Sequence, residues 1–132
     1  MPKFTRVNLK DDVEDSAGER FAPRFEARFA RRHLDSEHLG VSYFRYDPGY
    51  RLPLAHSHRE QEEAYVVVRG SGRMRLDDEI LELRQWDVVR VAPDVVRATE
   101  AGPDGLEIIA IGSDRPEGGD GVQAPEWTED AS

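Results

Sequence analysis

The chain has 132 residues, 38% of them hydrophobic and 34% charged, with no cysteine and a formal net charge of −9. That length suits one domain burying about two thirds of its unfolded surface, and the missing cysteines exclude disulfides, thiolate metal sites and cysteine nucleophiles. So acidic a surface repels phosphate backbones and anionic lipid, which argues against nucleic-acid or membrane partners.

The N-terminal MPKFTRVNLKDD has no apolar secretion signal, and no later run of about 18 apolar residues would span a bilayer, so a cytoplasmic protein is expected. Residues 1–40 read as an extension whose strand or strands pack on a barrel. Within it, Phe21, Phe25 and Phe29 recur at helical spacing, yet Phe25, Ala27 and Phe29 also alternate with Glu26, Arg28 and Ala30. The strand reading over residues 25–31 is preferred, because such a strand can pair with VSYFRY (41–46) across a turn at 35–40. Arg24, Arg28, Arg31 and Arg32 read as a solvated strand face balanced by Glu26 and Asp35.

From Val41 the chain becomes a series of short β-branched runs punctuated by Gly, Pro and Asp. AYVVV (64–68), RMRL (73–76), ILEL (80–83), VVRVA (88–92), VVRATE (95–100) and LEIIAI (106–111) are each predicted strands. This pattern predicts an all-β barrel or sandwich over residues 41–112. RGSG (69–72) reads as a hairpin turn and AGPDG (101–105) as another break. Residues 113–132 read as an acidic, Gly- and Pro-rich irregular tail, with Trp127 as its aromatic anchor.

The stretch LAHSHREQEEAYVVV concentrates the chemistry. Alternate residues of a strand share a face about 6.6–6.8 Å apart, so His56 and His58 point the same way and can converge on one ion. Glu63 would share an inward face with Tyr65 and Val67 if the chain doubles back after His58. A strand starting one residue earlier would put Glu62 inside instead. A carboxylate on an apolar face demands a partner. Two imidazoles and one carboxylate suit Fe, Mn, Zn, Ni or Cu as divalent ions.

These residues resemble the first motif of the cupin superfamily. Gly49, His56-x-His58, Glu63 and Gly70 follow its order, with four residues between His58 and Glu63 and six between Glu63 and Gly70. The resemblance covers roughly residues 41–112. WDVVRVAPDVVRATE resembles the second motif, with Asp87 and Pro93 in place. Trp86 stands at one usual glycine and Val95 at the other. The usual fourth-ligand histidine falls on Ala98 or Arg97, and His33 and His38 lie upstream, so that ligand is missing.

The resemblance implies a single-domain antiparallel jelly-roll β-barrel with a divalent metal on His56, His58 and Glu63. It also implies a small-molecule pocket bounded by Leu54, Tyr65, Val67 and residues of VVRATE. An inward Arg97 would add a positive fork suited to a small organic anion. Two functional classes are implied. One is a metal-dependent enzyme with dioxygenase-like or isomerase-like chemistry; the other is a non-catalytic small-molecule- or metal-binding module, metal-free where Arg97 takes the metal's electrostatic role. The phenylalanine-rich N-terminal segment implies a homodimer.

Overall fold

The computed structural model describes residues 3–128. Eight strands succeed one another: β1 Phe25–Phe29, β2 Gly40–Tyr46, β3 Ala55–His58, β4 Glu63–Leu76, β5 Glu79–Arg84, β6 Val88–Val91, β7 Arg97–Gly112 and β8 Gly121–Ala124. All pairings are antiparallel. One path runs β1-β2-β7-β3-β8, and β4 pairs with β5, β6 and β7. Because β7 is shared by β2, β3 and β4, the sheet curls on itself into a jelly-roll barrel. No helix of the described residues is long and apolar enough to cross a membrane.

Alternation explains which side chains fill the barrel. Along β4, Tyr65, Val67 and Met74 are buried, and along β7, Leu106, Ile108 and Ala110 meet them. Fully burying an aliphatic side chain of this size contributes about 1.5–3 kcal/mol, so these two long strands form the spine of the core. β1 lies beside β2 with Phe25 opposite Tyr46 and Phe29 opposite Ser42. The helical spacing of the phenylalanines is therefore realised as a strand. Phe25 stacks on Phe44 with centroids 6.0 Å apart, while Phe29 remains 49% exposed.

Three expected breaks differ in the fold. RGSG is not a hairpin turn. It is a bulged bend inside β4, where the register with β7 shifts between Val67 and Arg69 and again between Gly70 and Gly72. The physical reason is close backbone approach: a Cβ on Gly70, at φ +80°, would sit 2.0 Å from the Gly105 carbonyl oxygen. One on Gly72 would sit 2.3 Å from the Glu100 carbonyl oxygen. These glycines let two strands cross and bend together. AGPDG likewise lies inside β7 and does not end a strand. The stretch expected to be an irregular tail carries β8, paired along its whole length with β3.

Beyond β8, Trp127 is buried, with the Arg51 guanidinium 4.0 Å from its ring centroid and that of Arg73 5.1 Å away. Glu100 pairs with both arginines. The segment after β8 is thus fastened to the barrel by an aromatic ring between two cations.

Candidate metal centre

β3 is short and carries both histidines on one face, with His56 opposite Arg97 of β7 and opposite Gln123 of β8. After His58 the chain reverses and enters β4 at Glu63. His56, His58 and Glu63 meet here: one ligand atom from each lies within 4.8 Å of the others. The imidazoles stand perpendicular, with centroids 5.0 Å apart. Glu63 faces inward with Tyr65 and Val67. Glu62 faces out, paired with Arg90 at 2.8 Å. His33 and His38 are remote, each against its own surface carboxylate, Glu14 and Asp114 respectively.

Two of the three members have a supporting partner. The Tyr65 hydroxyl donates to Glu63 Oε1 at 2.6 Å. His58 Nδ1 lies 2.8 Å from Asp120 Oδ1. The other oxygen of Asp120 accepts the backbone N–H groups of Glu60 at 2.8 Å and Gln61 at 2.7 Å. An ionised carboxylate accepts only, so His58 Nδ1 carries a proton, and in the neutral ring Nε2 presents a lone pair. That Nε2 is buried, makes no hydrogen bond, and lies 3.1 Å from Glu63 Oε1 without the alignment of one.

Of the two residues at the usual fourth-ligand position, Arg97 is the one that turns toward the cluster. It is 2% exposed and its guanidinium reaches into the site. Nη2 donates to the Ala92 carbonyl at 2.9 Å, and Nη1 stands 3.7 Å from Glu63 Oε1. Nε and Nη1 have no hydrogen-bond partner. Neighbouring Ala98 is buried with Ala55 and Trp127.

The surroundings separate the two histidines. Burial, with the positive charge of Arg97 next, pushes the His56 pKa down to about 4, so this ring is neutral across the physiological range. The contact with Glu63 raises that of His58 despite burial. Burial would raise the Glu63 carboxyl, but His58, Tyr65 and Arg97 outweigh it and hold it below its ordinary value. Burial would also raise Asp120, yet the Glu60 amide, His58 and the Gln61 amide bring it down to about 2. Tyr65 is held well above its ordinary value by burial and by Glu63, so it stays a donor.

The cluster opens on a cavity of about 700 Å³ whose lining includes Leu52, Leu54, Phe25, Phe44, Arg97 and Thr99. Leu54 and Tyr65 lie on its wall as expected. Val67, expected there too, is sealed in the core instead. Sequence reasoning missed Asp120. Its only signal was an aspartate among glycines in a stretch read as irregular, and that reading also hid the strand beginning at the next residue.

By its fold the chain is the jelly-roll β-barrel found in solved cupin structures. Among solved structures it is similar to a cupin protein from Bacteroides fragilis, with a TM-score of 0.70, 24% identity and 89% of each chain covered. It is also similar to oxalate decarboxylase from Bacillus subtilis, with a TM-score of 0.72 and 22% identity, covering 90% of this chain and 32% of that one. A DMSP lyase is similar at a TM-score of 0.68 and 19% identity, covering 92% of this chain and 61% of that one. The chain thus spans about a third of the decarboxylase. No protein-family model and no curated protein matches it.

Proposed function

We propose that this barrel holds one divalent metal ion on His56, His58 and Glu63 and receives a small organic anion beside it at Arg97. The observation that carries the reading is the convergence of one ligand atom each from His56, His58 and Glu63 within 4.8 Å, with His58 Nε2 buried, without a hydrogen bond, and 3.1 Å from a carboxylate oxygen. A pair of atoms at that distance calls for a cation between them; in the metal-free protein that cation is a proton, which is why the His58 pKa is raised, and a metal ion would take its place. Asp120 holds the imidazole in the tautomer that leaves Nε2 free, an arrangement typical of ligating histidines. A 2-His-1-carboxylate centre with open positions supplies Lewis-acid or oxygen chemistry. The chain's own residues do the rest: Tyr65 fixes Glu63, Asp120 fixes His58, and Arg97 offers a charged fork for a carboxylate. Small-molecule enzymes among the structural neighbours, an oxalate decarboxylase and a DMSP lyase, fit this class.

A second reading makes the site metal-free, with Arg97 as its only fixed cation. The approach of Nη1 to Glu63 Oε1 at 3.7 Å favours it. Elemental analysis of protein purified without chelator separates the two, followed by anaerobic Fe(II), Mn(II) and Zn(II) titration with thermal unfolding as readout. The metal reading expects about one ion per chain, a raised midpoint, and loss of both in His58→Ala with the barrel still folded. No ion bound at micromolar metal, and no midpoint shift, would establish the second reading. Oxygen uptake with a panel of small acids then tests for catalysis.

A further inference from the structure

We propose that the anion received at Arg97 is a monocarboxylate with an apolar body, a branched aliphatic or aromatic acid. This deepens the anion-site reading above and rests on it. The floor of the cavity supplies the charge. Arg97 is 2% exposed, and two of its guanidinium nitrogens, Nε and Nη1, have no hydrogen-bond partner. A buried guanidinium with unspent N–H donors on these nitrogens attracts a carboxylate. Nη1 forms an ion pair with Glu63 Oε1 at 3.7 Å but no hydrogen bond to it, so its N–H donors remain available to a ligand.

The walls supply the rest of the specificity. Phe25, Phe44, Leu52 and Leu54 line the same cavity, whose volume of about 700 Å³ suits a small organic molecule. Three of the neutral polar side chains in the lining are already committed, while Ser42 and Gln123 form no side-chain hydrogen bond among the described residues. The Tyr65 hydroxyl donates to Glu63, the Gln61 amide to the Ser113 carbonyl, and Thr99 is hydrogen-bonded with Tyr46. A polyhydroxylated ligand would find few free partners, and its hydroxyls would lose their water against phenylalanine and leucine.

The cavity lining also includes Arg31 and Arg115, which form no ion pair among the described residues. Arg31 donates to the carbonyls of Ser113 and His38. In a chain of net charge −9 these two make a local positive entry that draws an anion toward the floor.

Calorimetric titration of the purified protein with 4-methylpentanoate, phenylacetate, acetate, glutarate and gluconate tests the class. The first two are expected to bind at least about tenfold tighter than the other three. Arg97→Met is expected to remove that binding. Should this variant fail to fold, Leu54→Ser keeps the test open: it weakens the two apolar acids severalfold and leaves acetate unchanged. Tightest binding of glutarate or gluconate would overturn the proposal, as would undiminished affinity in Arg97→Met or in Leu54→Ser. The same titrations on His58→Ala keep the readings apart. Selective binding of apolar acids by His58→Ala would sustain this proposal independently of the metal, and the same selectivity in a wild-type protein that takes up no metal would sustain it and reject the metal centre. Absence of binding by all five acids would reject the anion site itself.

Discussion

Asp120→Asn replaces one oxygen by nitrogen in a residue that is not itself a candidate ligand, and its effect can be worked out atom by atom. Oδ2 accepts two backbone N–H groups, at 2.8 and 2.7 Å, so the single oxygen of asparagine must take that place. The amide NH2 then faces His58 Nδ1 and can only donate. His58 must accept at Nδ1 and carry its proton on Nε2, the atom proposed to bind the ion. To ligate, it must give up that tautomer and a buried hydrogen bond, a cost of about 1–3 kcal/mol. This range matches the 10–100-fold, or about 1.4–2.7 kcal/mol, that supporting partners of metal ligands usually contribute. Chelator-competition titration reads the affinity, and ¹⁵N chemical shifts of the metal-free protein read the tautomer. Unchanged affinity with Nδ1 still protonated would refute the reasoning, since the amide would then have found an orientation the backbone contacts forbid.

Glu63→Gln should weaken metal binding strongly while Glu62→Gln changes it little, as Glu62 is 2.8 Å from Arg90 on the outer surface; a metal titration of the pair decides the register of the site. With pH the two histidines act separately. His56 is neutral down to about 4, so only His58, raised above its reference value near 6.5, competes with the ion at neutral pH. Metal affinity should therefore fall tenfold per unit as pH drops from that raised value toward 4, with one proton displaced per ion, and calorimetry in buffers of different ionisation enthalpy counts it. In the metal-free protein, the stabilising contribution of protonated His58 is present below about 6.5 and lost as pH rises through the raised value. Gly70→Ala should cost upwards of about 2 kcal/mol in chemical unfolding, because its Cβ would meet the Gly105 carbonyl at 2.0 Å. Trp86 holds φ 76° while 68% exposed, so Trp86→Gly should raise stability by about 1 kcal/mol in the same assay.

The fold was legible where side chains alternate and opaque where backbone decides. Tyr65 and Val67 announce the first part of β4 by their spacing, yet RGSG looks like a turn that would make RMRL a separate strand, because a glycine that lets two strands touch is indistinguishable in sequence from one that reverses the chain. β8 is GVQA, with one β-branched residue, and its pairing is owed to β3 and to the Trp127 anchor beyond it. At the site, the two-residue period of β3 places His56 and His58 together, and the same period in β4 distinguishes Glu63 from Glu62 once the strand's start is known. The inward turn of Arg97 could be posed from its position in the motif and not decided. Asp120 could not be found, since what fixes it is a pair of backbone amides far away in the chain.

The pairing of β3 also has a kinetic side. This strand has no sequence neighbour as a partner: among the described residues it pairs only with Arg97 of β7 and with β8. Contacts between such distant segments carry the loop-closure cost that slows folding, and they form after the local hairpins. The β4–β5 hairpin can therefore assemble while the two imidazoles are still attached to an unpaired strand. A metal ion would meet a prepared cluster only once the barrel has closed, and its binding would act as a late latch on the slowest-formed seam, raising the barrier to unfolding more than the rate of folding.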